Sequence, residues 1–182
     1  MRKHSTPKQP DRSILDWVDC NLLYDVETGI LRWKTAGGVT HKHQAGDLFF
    51  PAFHQSKSKS RVVNVGFGKE RITTQYHHVC WYLAYGSWPD HPVDHANRNP
   101  KDNRLINLRE ANDTLNAYNK PSVAPYKGVT KRCGSATYRA RISVSGKRID
   151  LGKGFRTAED AFEAYKAASK KHHGEFACVD RR

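Results

Sequence analysis

Four polar side chains in the middle of the chain have the composition of a hydrolytic site: Asp94, His95, Asn107 and Asn116. Neighbouring residues of an extended strand point to opposite faces, so the carboxylate can hold a metal ion while the imidazole faces a water molecule. Histidine is the side chain that most often transfers protons in catalysis. Carboxylate and amide oxygens suit Mg²⁺, which keeps several of its waters and binds phosphate. The pattern therefore indicates a compact site for one hard cation.

The elements around these residues are predicted as a hairpin that carries Asp-His, followed by a short helix. A polar loop covers residues 96–104, and Asn116 lies in a segment opened by Asn112, a good helix N-cap. Before the hairpin, the apolar run 78–85 is predicted as a helix, with Gly86 in the left-handed position at its C-cap. We expect this helix to form the hydrophobic floor beneath the site.

The first part of the chain is predicted as scaffold. A helix is expected at residues 13–23, with Ser13 and Asp16 as a capping box. A turn and further strands are expected at residues 24–29, 30–33, 61–66 and 71–75.

The last third of the chain has the pattern of a small sheet packed on a helix. Residues 137–143 alternate apolar and basic side chains, and Ser145-Gly146 predicts a hairpin turn to a second alternating strand. Residues 126–132 are expected to add a third strand. Thr157 is predicted to cap a helix that ends near Gly174. The apolar face of the sheet would pack on this helix, which leaves an arginine-rich face outward.

Composition favours a polyanionic partner. The 182 residues include 31 Lys and Arg against 18 acidic residues, for a net charge of +13, and nucleic acid is the expected partner. No apolar run approaches the roughly 18 residues of a membrane span. The basic segment 1–12 is expected to be a flexible tail without a secretory signal. The four cysteines are far apart, which argues against a structural zinc site or a disulfide framework and fits a reducing cytoplasmic setting.

The run VDHANRNPKDNRLINLREANDTLNAYNK resembles the core of the HNH endonucleases, the ββα-metal or His-Me finger nucleases, and is most similar to their phage and intron-homing branch. The resemblance implies that Asp94 and Asn116 hold one Mg²⁺ or Mn²⁺ ion, that His95 activates water, and that Asn107 fixes the loop and supports the histidine. Three arginines near the loop are candidate phosphate contacts: Arg98, Arg104 and Arg109. Arg109 is equally a candidate for holding the loop in place. The implied reaction is hydrolysis of duplex DNA to 5′-phosphate and 3′-hydroxyl ends by a site-specific or nicking homing-type enzyme.

The segments YKGVTKR, YRARISVSGKRIDLG and FRTAEDAFEAYKAASKKHHGEFA resemble the plant Apetala-type DNA-binding domain of ethylene-response factors. Members of that family lay their sheet in the DNA major groove. The matching contact positions are Lys127, Thr130, Arg132, Arg141, Ser143, Arg148 and Asp150, and Arg139 shares the outward face. Thr130 and Ser143 stand where arginine is usual and Asp150 replaces an aromatic residue, so the plant target sequence does not transfer.

We therefore expect an α+β protein with an N-terminal ββα-metal HNH domain and a C-terminal three-stranded antiparallel sheet packed on one helix. The expected boundaries are a tail at 1–12, the nuclease domain at 13–120, a linker at 121–125 and the DNA-binding domain at 126–178. The expected partner is double-stranded DNA, bound by a monomer that needs no protein partner and works in the host cytoplasm if a phage encodes it. One alternative is a non-cleaving, sequence-specific DNA-binding regulator. The other is an RNA-binding or structural protein, which competition between duplex DNA and RNA would distinguish.

Overall fold

The structure is a computed structural model that describes residues 7–37, 43–49, 62–131 and 134–179. The expected KSKS loop, the start of the strand at Arg61 and the contact residue Arg132 lie outside these ranges. The helices are α1 (Arg12–Asn21), α2 (Tyr76–Tyr85), α3 (Asp113–Tyr118) and α4 (Ala158–His173), with single 3-10 turns at Gly68–Glu70, Leu105–Asn107 and Gly174–Phe176. The strands are β1 (Leu22–Asp25), β2 (Ile30–Trp33), β3 (Val62–Val65), β4 (Ile72–Gln75), β5 (Val93–His95), β6 (Leu108–Glu110), β7 (Val129–Lys131), β8 (Tyr138–Val144) and β9 (Lys147–Phe155).

The chain divides into two compact units, Met1–Ala111 and Asn112–Arg182. This division precedes the linker predicted at 121–125, because α3 packs within the C-terminal unit. The ring of Tyr118 stacks on His173 with 3.7 Å between ring centroids. The Tyr118 hydroxyl accepts a hydrogen bond from the Ser145 amide at 2.6 Å. A proline-bracketed segment looks like a linker in sequence, but the helix before it packs with the C-terminal sheet and helix.

In the first unit, two antiparallel hairpins, β1–β2 and β3–β4, pack with α1 and α2. Helix α1 begins at Arg12 with Asp11 at its N-cap, so Ser13 lies inside the helix and the predicted capping box does not form. Helix α2 ends at Gly86, which has the predicted left-handed φ of 69° and donates its N–H to the Tyr82 carbonyl. The core contains these buried side chains: Ile14, Leu15, Val18, Leu22, Leu31, Phe49, Val63, Val65, Tyr76, Val79, Cys80, Tyr82, Trp88, Val93 and Leu108.

A third hairpin in the first unit carries the candidate catalytic residues. Strands β5 and β6 are antiparallel, and Asp94 lies opposite Arg109 while His95 lies opposite Leu108. Burial alternates along β5, since Val93 and His95 are buried and Asp94 is only partly buried. The polar loop between these strands ends in the 3-10 turn Leu105–Asn107.

The second unit contains the predicted three-stranded antiparallel sheet in the order β7–β8–β9, with α4 packed on it. Ala140 and Ile142 are buried on the helix side of β8, while Arg139 and Ser143 lie on the other face. The N-terminus of α4 is capped by the Thr157 hydroxyl, which accepts a hydrogen bond from the Asp160 amide at 3.0 Å. The mixed α and β composition and the C-terminal sheet with its helix are thus confirmed.

Ile149 on the edge strand β9 pairs with the buried Ile142, so it lies on the helix side of the sheet, where it is 37% exposed. Among the residues that the structure describes, no helix is both long enough and apolar enough to cross a membrane.

Candidate active site

His95 lies on the buried face of β5 and is only 8% exposed. Its Nε2 is 3.0 Å from Oδ1 of Asn103. The edge of its ring packs against His77 on α2, with 4.9 Å between the ring centroids. The predicted alternation of Asp94 and His95 is present, but the imidazole takes the face that packs on α2. The ring is therefore held on two sides by protein.

Asn103 determines which tautomer of His95 fits. It is 1% exposed, and its Nδ2 lies 3.4 Å from the Lys101 carbonyl, so the amide oxygen is the atom that faces the imidazole. An amide oxygen only accepts hydrogen bonds, so Nε2 of His95 carries the hydrogen. In the neutral imidazole one nitrogen is a donor and the other an acceptor. Proton acceptance therefore falls to Nδ1.

Two further histidines form the wall behind His95. His77 and His78 are 8% and 9% exposed, and their rings contact each other edge to face at 4.7 Å. Burial lowers the pKa of His77 well below its ordinary range, and the neighbouring rings of His78 and His95 lower it further. Burial also lowers the pKa of His78, to about 4. Both rings are neutral at physiological pH, so His77, which packs against His95, and His78, which packs against His77, add no positive charge beside the candidate base.

Asn107 closes the loop after His95. Its Oδ1 accepts a hydrogen bond from the Asn97 amide at 2.8 Å, and its Nδ2 donates to the Asp102 carbonyl at 2.6 Å. Its own carbonyl accepts from the Ala96 amide at 2.9 Å. One buried amide thus ties the beginning of the loop to its end. This is the loop-fixing part of the role predicted for Asn107, whereas the hydrogen bond to His95 comes from Asn103.

Asp102 organises the outer side of the same loop. Its carboxylate accepts two hydrogen bonds from Arg104, at 2.8 and 2.6 Å, and one from the Asn97 side chain at 2.7 Å. These bonds, with that of Arg104 the largest cause, lower the pKa of Asp102 to about 2. Arg104 is exposed, but its guanidinium is already bound to a carboxylate. Arg98, the other predicted phosphate contact in the loop, is exposed and has a left-handed φ of 62°.

Asp94 is partly buried beside Arg109. Its Oδ2 accepts a hydrogen bond from Nη2 of Arg109 at 3.2 Å, and the two side chains are 17% and 13% exposed. This contact follows directly from their opposite positions in the β5–β6 register. Of the two roles considered for Arg109, the structure shows it bound to the strand that carries Asp94. Asp94 and His95 thus occupy adjacent, rigidly held positions with different surroundings.

The carboxylate of Asp94 is a suitable ligand for a hard divalent cation. Asp94 offers a carboxylate on a paired strand, and oxygen ligands are those that Mg²⁺ and Mn²⁺ favour. Within the described ranges, no group of three or more His, Cys, Asp or Glu side chains is placed to hold an ion. An ion at Asp94 would therefore keep most of its ligands from water and phosphate, as Mg²⁺ commonly does. Asn116 lies on α3 in the second unit, and its role as a second ligand remains a prediction from sequence.

The outward face of the C-terminal sheet carries most of the predicted DNA contacts. Thr130 is paired with Arg139, and Ser143 with Arg148, on neighbouring strands. All four are exposed, and Arg141 is half-buried between them on β8. The sheet therefore presents a surface of arginine and hydroxyl side chains.

Two residues of this predicted set have partners within their own unit. The ammonium of Lys127 donates hydrogen bonds to the carbonyls of Tyr118, at 2.8 Å, and Lys120, at 2.7 Å. It therefore satisfies carbonyls at the end of α3 instead of facing outward with the arginines. Arg139 forms a cross-strand ion pair with Asp150. A carboxylate thus lies within the basic face.

Asn103 was not among the residues predicted to form the site. It belongs to the run DNRLINLRE, which identified the motif as a whole, but nothing in that run distinguishes a buried asparagine from an exposed one. Its importance depends on the hydrogen bond to His95, eight residues earlier in the chain. The contact between a buried polar side chain and a candidate base can be recognised only in the folded loop.

Comparison with known proteins supports the resemblance of this segment to the HNH endonucleases. Residues 75–118 match the HNH endonuclease family, so the chain contains an HNH endonuclease domain. The chain is also 32% identical over 89 residues to a protein of Acanthamoeba polyphaga mimivirus that is named as an uncharacterized HNH endonuclease. The match covers 49% of this chain and 46% of that protein, so the chain spans about half the length of its viral relative. No solved structure gives a significant match. The HNH part of the sequence identification is confirmed, and the Apetala-type part remains a prediction.

Proposed function

We propose that the protein is a divalent-metal-dependent endonuclease that hydrolyses phosphodiester bonds of duplex DNA. The observation that carries the proposal is the pairing of His95 with Asp94 on one short strand, inside the segment that matches the HNH endonucleases. The imidazole is held by a buried amide and the carboxylate by a partly buried guanidinium. Catalysis by oriented groups requires such fixed geometry, since a small displacement of a reacting group greatly lowers the rate.

In the proposed reaction, Nδ1 of His95 takes a proton from a water molecule, which attacks phosphorus in line with the leaving 3′ oxygen. Asn103 keeps the hydrogen on Nε2, so the accepting nitrogen is always the same one. Asp94 is the proposed ligand for Mg²⁺ or Mn²⁺, with Asn116 proposed as a second ligand from sequence alone. When bound, the ion supplies Lewis-acid stabilisation of the charge that develops on the phosphate and leaving oxygens. The products would carry 5′-phosphate and 3′-hydroxyl ends.

The C-terminal sheet is the proposed DNA-binding element. Its outward face combines Arg139, Arg141 and Arg148 with two hydroxyl side chains, and the whole chain has a net charge of +13. Arginine can bind guanine bidentately in the major groove or contact phosphates, and hydroxyls can bind either bases or phosphates. We propose that this face gives the nuclease its site preference, as in homing-type enzymes. With one site per chain, a monomer would nick one strand.

The proposal is tested by incubating the full chain with supercoiled plasmid and Mg²⁺, Mn²⁺ or EDTA. We expect nicked circles with either ion, none in EDTA, and ends that are religated without prior phosphorylation. The variant Asp94→Asn should lose activity at low ion concentration and regain part of it as the concentration rises. A matched control is Asp113→Asn, which changes an exposed carboxylate in the first turn of α3. Tight DNA binding without cleavage under any divalent ion would instead favour a regulator whose nuclease unit is inactive.

A further inference from the structure

The turn between β1 and β2 is stiff and well defined. Oδ1 of Asp25 accepts hydrogen bonds from the amides of Glu27, at 3.0 Å, and Thr28, at 3.2 Å. The Asp25 carbonyl also accepts from the Gly29 amide at 2.8 Å. An aspartate that binds the next two or three amides is a common turn-forming arrangement. Gly29 has a φ of 73°, a left-handed conformation that favours glycine.

This turn lies directly against the loop that carries Asn103. The Tyr24 hydroxyl donates a hydrogen bond to the Asn103 carbonyl at 2.7 Å, and the Leu105 amide donates to the Val26 carbonyl at 3.1 Å. The backbones also approach closely: a Cβ added to Gly29 would lie 2.4 Å from the Asn103 carbonyl carbon and from the Arg104 nitrogen. The hairpin therefore holds the backbone on both sides of Asn103.

We infer that the turn at residues 24–29 is a positioning element for the catalytic base: it fixes the backbone of Asn103, whose side chain sets the orientation and tautomer of His95. The chain of contacts runs from the Tyr24 hydroxyl to the Asn103 backbone and from the Asn103 amide to Nε2 of His95. For its effect on catalysis, the inference rests on the proposed function. The tautomer itself can be measured whether or not the protein cleaves DNA.

Simple packing does not account for these contacts. Apart from Tyr24, whose ring packs against the core, the turn contributes little to it, since Val26 is 43% exposed and Glu27 and Thr28 are exposed. Its bonds to the loop are polar and directed, and one of them connects residues 79 positions apart. Burial raises the pKa of the Tyr24 phenol, so the hydroxyl keeps its proton and remains a donor across the working pH range.

The test compares two tyrosine-to-phenylalanine variants of the full chain. Tyr24→Phe removes the hydroxyl that binds the Asn103 carbonyl. Tyr82→Phe is the matched control, because its hydroxyl binds Asp19 at 2.7 Å between α2 and α1 in the same unit. Gly29→Ala displaces the turn without removing a hydrogen-bonding group. Asn103→Leu removes the acceptor for Nε2, whereas Asn103→Asp retains one.

Two readouts separate positioning from general stability. The ¹⁵N chemical shifts of the His95 ring, recorded at pH 8, report which nitrogen carries the hydrogen. We expect the Nε2–H form in wild type, Tyr82→Phe and Asn103→Asp, and a mixture of tautomers in Tyr24→Phe, Gly29→Ala and Asn103→Leu. For cleavage, a misplaced base should lower kcat roughly 10- to 100-fold and leave KM within about twofold.

The outcomes test the positioning inference and the proposed nuclease function separately. A wild-type tautomer in folded Tyr24→Phe and Asn103→Leu overturns the positioning inference, even if cleavage is slower. Equal losses of kcat in Tyr24→Phe and Tyr82→Phe also overturn it. If the tautomers shift as expected but the wild-type chain cuts no DNA, the positioning inference is supported and the proposed function fails.

Discussion

Acid should unfold the first unit through its buried histidines. His78 is 9% exposed and its pKa is lowered by burial from 6.5 to about 4. Between these two pH values the unfolded chain binds one proton more than the folded chain at this position, so stability falls as the pH falls. The difference of about 2.5 pKa units corresponds to about 3 kcal/mol lost by pH 4. His77 has a pKa shift of the same sign and adds to the slope.

The measurement is urea unfolding of the full chain at a series of pH values, followed by tryptophan fluorescence. All four tryptophans lie in the first unit, so the signal reports that unit: Trp17, Trp33, Trp81 and Trp88. The variant His78→Phe keeps an aromatic ring against Trp88 but cannot titrate. Its unfolding free energy should fall less steeply between pH 6.5 and 4, by up to about 1.4 kcal/mol per pH unit.

The control is His91→Phe, which makes the same replacement at an exposed histidine. It should reproduce the wild-type slope. If His78→Phe has the wild-type slope as well, the buried, neutral state assigned to His78 is refuted, and with it the uncharged wall behind His95.

Three further predictions concern other contacts. Arg109→Met should lower the unfolding free energy by about 3 kcal/mol in urea unfolding, because the mostly buried Asp94 carboxylate loses its charged partner. Arg12→Met, which breaks an exposed ion pair, should lower it by less than about 1 kcal/mol. Gly128→Ala should destabilise the sheet by at least about 2 kcal/mol, measured by amide hydrogen exchange in β8. The new Cβ would lie 2.2 Å from a tyrosine ring of α4, and the φ of 76° at this position is left-handed. Asp150→Asn should tighten non-specific DNA binding about threefold at low salt and reduce discrimination between DNA sites, both measured by fluorescence anisotropy. The reason is that the substitution removes the negative charge that holds Arg139 in the basic face.

Local patterns predicted much of the fold correctly. Alternation of apolar and basic side chains predicted β8 and its buried face, and Thr157 and Gly86 marked a helix start and a helix end. These features are encoded within a few residues, so no knowledge of the tertiary structure is needed. The start of α1 was misplaced because Ser13 and Asp11 are both reasonable N-caps, and only the observed backbone distinguishes them.

The site was less accessible to sequence reasoning because its contacts join distant segments. The four motif residues were identified from their resemblance to a family, but the partner of His95 was not. Asn103 and Tyr24 gain their significance from a loop and a hairpin that meet only in the folded unit. The position of His95 on the buried face of β5 likewise depends on α2, which packs His77 against it. Spacing alone does not specify which face of a three-residue strand is covered.

The central claim is that His95 is the base of a DNA-cleaving site. The most direct measurement is single-turnover cleavage of a plasmid or defined duplex in Mg²⁺, with binding measured in parallel, for wild type and His95→Ala. We predict that the variant binds DNA with wild-type affinity but cleaves it roughly 10²- to 10⁴-fold more slowly, the contribution of a positioned general base. Cleavage by His95→Ala at the wild-type rate would contradict the role assigned to His95.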